Sequence, residues 1–210
     1  MFKAMNSHTR VIRAATALFA TRGFEGTSTR DVAKRAGVNP ITIFRRFKNK
    51  QELYLQVLDS RMGTSLTDWL PSALTSSDDP EEAFLAVAER LEEIFDPVFM
   101  RLLFYAALEK PELLRKRYRA RLVSFYEVLG EHIRQRIDRQ ILREVEPLLM
   151  GPALIGMIAC HRVVCELLGG DFPGCNRQGS ARAYLDIWLF GTSARGVRAR
   201  QDRTPRLAQS

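Results

Sequence analysis

Between Ser7 and Phe47 the chain starts and stops a helix three times, with nearly the same punctuation each time. Val11, Ile12, Ala15, Leu18 and Phe19 fall at offsets 0, 1, 4, 7 and 8, one apolar stripe of an amphipathic helix over Ser7–Arg22. Gly23 followed by Phe24 is the glycine-then-apolar order that closes a helix. Thr27 or Ser28 caps a short second helix through Ala36, and Asp31, three residues after Ser28, favours its start. Gly37 and Val38 repeat the stop. Asn39 then caps a third helix, Ile41–Phe47, and Pro40 fits its first turn, where a missing N–H costs nothing. Two short helices about a turn of roughly four residues make a helix-turn-helix.

Val32, Ala33, Ala36, Val38, Ile43 and Phe47 can share a small core with the first helix. That leaves Thr42, Arg45, Arg46 and the corner Asn39, Pro40 and Ile41 free to enter a major groove. Lys48 and Lys50 follow directly, suited to phosphates on the groove wall. Charge agrees with this placement. Residues 1–60 hold 11 Lys/Arg against 4 Asp/Glu, residues 61–191 hold 16 against 19, and residues 192–210 hold 5 against 1. A basic head and tail around a mildly acidic middle point to a polyanion for the ends and another task for the centre.

The rest of the chain also reads as helical, with no sustained period-two alternation. A fourth helix is expected from near Lys50 to past Trp69. Further helices are expected over Glu81–Phe95, 98–109, 112–138, Pro147–Leu168 and Ala181–Phe190, with a glycine-rich loop at Gly169–Gly179. The fold class is all-α: a helix-turn-helix domain over 1–50, a larger helical bundle domain over 51–191, and a basic disordered tail over 192–210. The longest apolar run, Leu148–Cys160, has 13 residues, short of the roughly 20 that span a bilayer. A soluble, cytoplasmic protein without a membrane partner is expected.

From Arg10 to Lys50 the residues Ala14–Ala15, Leu18–Phe19, Arg22–Gly23–Phe24, Thr27–Ser28, Arg30–Asp31–Val32–Ala33, Ala36–Gly37–Val38, Ile43–Phe44, Phe47 and Lys50 closely resemble the DNA-binding domain of TetR-type transcriptional regulators. The resemblance implies an all-helical homodimer with an N-terminal three-helix DNA-binding domain. It also implies a C-terminal domain that binds a small-molecule inducer and dimerises through its last two long helices. Carried over by position, Thr27, Ser28 and Arg30 fall at the start of the second helix, where the family contacts DNA. Thr42, Phe44, Arg45 and Lys50 fall on its recognition-helix and phosphate positions. Phe44 stands where the family usually has tyrosine, and Pro40 and Ile41 replace small or basic residues.

The family's effector pocket would be lined here by Phe95, Phe99, Met100, Leu103 and Phe104, with Tyr118, Leu122, Phe125 and Trp188 from later helices. The expected effector is a small apolar or amphipathic molecule. Arg101 is either a snorkelling surface arginine or an anchor for a ligand carboxylate. The run Arg115–Arg117 with Arg119 and Arg121 reads as a solvated helix face, and His8 and His132 as surface residues. Pro147–Leu168 is apolar nearly all round and carries small residues that admit a partner helix. Gly151, Gly156, Ala159, Val163, Leu185 and Trp188 are the expected dimer contacts.

Three cysteines, Cys160, Cys165 and Cys175, are too few for a disulfide scaffold, and their odd number argues against complete pairing. His161 and Cys165 share a helix face, but two ligands on one helix do not make a zinc site. No metal or cofactor is expected. No nucleophile, base and orienter assemble by spacing. The reading is therefore a regulator that binds an inverted-repeat operator in double-stranded DNA as a homodimer, a repressor released by its effector. An architectural DNA-binding protein without an effector, or a helical enzyme, are the competing classes.

Overall fold

The computed structural model describes residues 6–62, 68–169, 175 and 180–192. Among them lie ten helices and no strand: α1 (Ser7–Arg22), α2 (Thr29–Ala36), α3 (Pro40–Phe47), α4 (Lys50–Met62), α5 (Leu70–Leu74), α6 (Pro80–Ile94), α7 (Pro97–Glu109), α8 (Pro111–Asp138), α9 (Pro147–Leu168) and α10 (Ser180–Thr192). The fold class is all-α, as the periodicity required. Two expected boundaries differ. α4 ends at Met62, and Trp69 instead precedes the separate short α5. α10 runs on to Thr192. Most of the expected Gly169–Gly179 loop and the tail beyond Thr192 lie outside the described residues.

The helices form two compact units. One comprises Met1–Leu66 and Ile94–Leu122, the other Thr67–Glu93 and Val123–Ser210. The expected domain boundary at residue 50 falls inside the first unit, because α4 is buried through Leu53, Tyr54, Val57 and Leu58. These four cannot be left in water, and each fully buried large apolar side chain contributes about 1.5–3 kcal/mol. The centre of this unit is aromatic. Tyr54 meets Phe19 edge-on at 4.7 Å and Phe24 at 5.3 Å. Its hydroxyl donates to Leu102 O at 2.6 Å, so the one polar atom of a buried ring is satisfied.

The second unit is built around Phe84 of α6, which is fully buried. Trp188 of α10 packs on it at 4.9 Å and His132 of α8 at 5.8 Å, and the Arg136 guanidinium lies 5.3 Å from its centroid. Phe125, Leu129 and Ile133 of α8, Leu154 and Ile158 of α9, and Leu185 of α10 are buried with it.

Two features depart from the sequence reading. Cys165 and Cys175 form a disulfide, with Cα atoms 5.3 Å apart, and Cys160 alone is free and exposed. Spacing could not foresee the pair, because the partner of Cys165 lies beyond the end of its own helix. The second concerns α9. Counting only an uninterrupted apolar run gave 13 residues, but the helix continues through His161 and Arg162. Its segment Pro147–Glu166 has a mean hydropathy of 1.7, and by length and composition alone it is long and apolar enough to cross a membrane.

Candidate nucleic-acid interface

The head is assembled by local rules. Ser28 caps α2 reciprocally: its hydroxyl accepts from Asp31 N–H at 3.1 Å, and the Asp31 carboxylate reaches back to Ser28. Hydrogen bonds donated to the Asp31 carboxylate by the Ser28 hydroxyl, at 2.7 Å, and then by the Ser28 N–H hold that carboxyl below the ordinary carboxylate range. Gly37 ends α2 in the left-handed conformation at φ 62°. Asn39 Oδ1 then accepts from Ile41 N–H at 2.9 Å, with Pro40 at the first helical position of α3. Val32, Ala33, Ala36, Ile43 and Phe47 are buried as expected, with Val38 half-buried.

Burying that face turns the other outward. On α3, Ile41 is 72% and Phe44 52% exposed, and Arg45 and Arg46 are exposed beside them. Thr42 is half-buried, and Asn39, Pro40 and Lys48 are exposed. From Lys34 to Gln51 there are six basic residues and no acidic one. A helix carrying two free guanidinium groups and two bare apolar side chains suits a groove that offers acceptor edges and thymine methyls. Arg10, Arg13 and Arg35 add a second basic feature that sequence pattern did not single out. They line an open cleft of about 270 Å³ with Ala14, Ala17 and Ala36, between α1 and α2.

Two expected contacts have structural duties instead. Thr27 is 1% exposed, and its hydroxyl donates to Gly23 O at 2.9 Å. That burial leaves its side chain no surface for DNA. The Lys50 ammonium sits 4.2 Å over the Phe24 ring and 3.8 Å from Glu25, so a phosphate would have to compete for it. Ser28 and Arg30 are exposed at the start of α2.

The turn between α1 and α2 is held from α7, a feature invisible to local pattern because the partners lie about 85 residues apart. Glu109 accepts from the backbone N–H groups of Phe24 at 2.7 Å and Glu25 at 3.0 Å. Gly23 makes room for it: at φ 73°, an added Cβ would lie 2.5 Å from Glu109 Oε1 and 2.8 Å from Tyr105 Cδ1. Lys110 grips Glu25 at 2.6 Å. That hydrogen bond, aided by Lys50, holds the Glu25 carboxyl below its ordinary range.

A second tie fixes α4 to α8. Asp59 accepts from Arg117 at 2.5 Å, Tyr118 at 2.9 Å and Arg121 at 3.0 Å. Burial alone would raise the Asp59 pKa, but the bonds from Arg117 and Tyr118 with the two guanidinium charges outweigh it, and the net shift is downward. The solvated basic face expected on α8 is thus, at Arg117 and Arg121, an ion-pair cluster.

The expected effector residues are not gathered within one unit. Phe95, Phe99, Met100, Arg101, Leu103, Phe104, Tyr118 and Leu122 belong to the first, Phe125 and Trp188 to the second. Phe99, Met100, Tyr118, Phe125 and Trp188 are buried, whereas Phe104 is 43% exposed. Trp188 Nε1 donates to Met150 O at 3.1 Å. His132 is no surface residue. Its ring lies against Phe84, and its pKa is pushed down to about 4, first by burial and then by Arg136 and Arg139.

Of the expected dimer contacts, three already face their own chain. An added Cβ at Gly151 would meet Tyr126 at 3.0 Å and Leu129 at 3.3 Å, so this glycine lets α9 approach α8. Leu185 and Trp188 are buried within the unit. Gly156 has nothing within 4 Å of such a Cβ, and Ala159 and Val163 are half-exposed. Among the described side chains of α9, Leu148, Leu149, Ala153, Gly156, Cys160, Val164 and Leu168 are exposed, and all but Leu148 form one apolar stripe at helical spacing.

Comparison with known proteins agrees with this geometry. Residues 11–57 match the model of the bacterial regulatory proteins of the tetR family. Over 62 residues the chain is 48% identical to the HTH-type transcriptional repressor Rv3405c of Mycobacterium tuberculosis, covering 30% of this chain and 32% of that one. The chain thus matches about a third of the length of such curated relatives. Solved structures resemble it more broadly. FadR of Bacillus subtilis, in complex with stearoyl-CoA, gives a TM-score of 0.73 at 18% identity, covering 87% of this chain and 98% of that one. The TetR-family regulator PfmR of Thermus thermophilus gives 0.68 at 24% identity, covering 89% and 97%. At such identities the likeness is one of fold, an N-terminal helix-turn-helix followed by helices. Residues 11–57 are thus similar to the N-terminal domain of the tetR family of bacterial regulatory proteins.

Proposed function

We propose that the protein is a sequence-specific DNA-binding transcription regulator, a repressor acting in the cytoplasm as a two-fold dimer and released by a small apolar or amphipathic effector. The observation that carries this reading is α3, held at its N-terminus by Asn39 and Pro40 and presenting Ile41, Phe44, Arg45 and Arg46 to solvent. Lys48 and the arginines of the α1–α2 cleft supply phosphate contacts around it. A dimer is favoured by the apolar stripe on α9, which a second copy would cover. Within the second unit, Trp69 Nε1, His132 Nε2 and Arg136 Nε are buried atoms without a hydrogen-bond partner among the described residues. They are the polar handles for an effector whose apolar body lies against the aromatic residues. The stearoyl-CoA carried by the FadR neighbour is a molecule of that amphipathic kind.

The ties from Glu109 and Asp59 give effector binding a route to the head, since a shift of α7 or α8 pulls on the α1–α2 turn or on α4. Effector and operator would then weaken each other by the same coupling, about 1–3 kcal/mol. Selection of bound fragments from a random DNA pool tests the reading. The expected product is an inverted repeat with half-site centres about one helical turn apart, roughly 34 Å. A pool that shows no sequence enrichment refutes it.

A further inference from the structure

We propose that His161, Cys165 and Cys175 form a binding site for a thiophilic divalent cation such as Zn²⁺, open when the two cysteines are reduced and closed when they are joined as a disulfide. The inference stands apart from the DNA-binding reading. His161 and Cys165 are one helical turn apart on α9, and Cys175 reaches the same point from beyond the end of that helix. One ring nitrogen and the two sulfurs lie within 4.8 Å of one another. A tetrahedral zinc ion, with bonds of about 2.3 Å to sulfur and 2.0–2.1 Å to nitrogen, needs donors roughly 3.4–3.8 Å apart. Small side-chain rotations therefore suffice. Three protein ligands leave the fourth position to water or an exogenous ligand.

The surroundings suit a metal. Cys175 is 7% exposed, and the His161 ring rests against Tyr184 at 5.3 Å, which limits its rotation. The nearby Glu92 carboxylate is occupied by Arg162 and Ser180 and does not compete as a ligand. Cys160 is free and exposed, outside the cluster.

The two states exchange by ordinary thiol chemistry. Two external thiols split the S–S bond, leave both cysteines as thiols and end as a disulfide themselves. A phosphine does the same with one water and ends as the phosphine oxide. The cation then displaces one proton from each thiol and binds two thiolates and the neutral imidazole.

Co²⁺ is the probe. It is added under anaerobic conditions to full-length protein treated with a phosphine reductant, and to untreated protein. The expected result is a thiolate-to-cobalt charge-transfer band at one ion per chain in the reduced protein only. Zn²⁺ should abolish it. The band should be lost in Cys165→Ser and Cys175→Ser, shifted and weakened in His161→Ala, and retained in Cys160→Ser. Should the serine variants fail to fold, alkylation of reduced wild type decides. Cd²⁺ should protect Cys165 and Cys175 and leave Cys160 reactive. No band in reduced wild type, a band that persists without Cys175, or equal labelling of all three cysteines with Cd²⁺ present overturns the proposal.

Discussion

Replacing Glu109 tests whether the α1–α2 turn is held from α7. The carboxylate accepts two backbone hydrogen bonds, from the part-buried Phe24 N–H at 2.7 Å and the exposed Glu25 N–H at 3.0 Å. A hydrogen bond to a charged group contributes about 1.5–3 kcal/mol where it is shielded from water. The exposed one contributes less, because water replaces the lost acceptor. Glu109→Ala should therefore cost about 2–3 kcal/mol, with the Phe24 N–H left unsatisfied. Glu109→Gln keeps an acceptor of the same shape without the charge and should cost about 1 kcal/mol. In a chain of this length each kcal/mol corresponds to a melting shift of about 2–4 °C. Urea unfolding followed by circular dichroism reads the stability. Hydrogen exchange at the Phe24 and Glu25 amides reads the contact itself and should quicken in the alanine variant. A Glu109→Ala protein within about 0.5 kcal/mol of wild type, the scatter of a neutral surface substitution, with both amides still protected, would show that the turn needs nothing from α7.

Three other outcomes are expected. Arg45→Ala should weaken operator binding by about 1–3 kcal/mol and relax one base pair per half-site. Lys48→Ala should flatten log affinity against log salt by about 0.9 per half-site, and Lys50→Ala, held between Phe24 and Glu25, by less; anisotropy titrations with no change in any of the three would remove α3 from the interface. Gly156→Arg, on the open stripe of α9, should give monomers by sedimentation. Gly151→Val should leave assembly intact and destabilise the chain by about 1–3 kcal/mol through overpacking against Tyr126 and Leu129; the reverse pattern would exchange their roles. His132 is neutral in the folded chain, with its pKa pushed below the unfolded value to about 4. Its contribution is therefore intact above about pH 6.5 and is lost as pH falls from there toward the folded value, by about 1–3 kcal/mol in all. His132→Gln should abolish that acid-side loss, and a stability difference between the two proteins that stays flat from about pH 7.5 to about pH 4.5 contradicts the burial argument.

The sequence by itself determined whatever depends on neighbours a few residues apart. Caps at Ser28 and Asn39, stops at Gly23 and Gly37 and the 3.6-residue stripe of α1 are local, and they placed the helix-turn-helix and the outward face of α3. The tertiary structure decided whatever needs partners far along the chain. Thr27 became a buried strut because Gly23 O lies over it, and Lys50 was drawn to Phe24 and Glu25. Arg117 and Arg121 turned inward because Asp59 on α4 meets them. His132 lost its expected surface position to Phe84 of α6. Small residues on α9 look alike in sequence, yet Gly151 faces Tyr126 within its own unit while Gly156 faces open space. Cys165 pairs with Cys175, which lies beyond the end of α9, where helical spacing on α9 says nothing of it. Helical periodicity says that a residue lies on a face, and only packing says which neighbour that face meets.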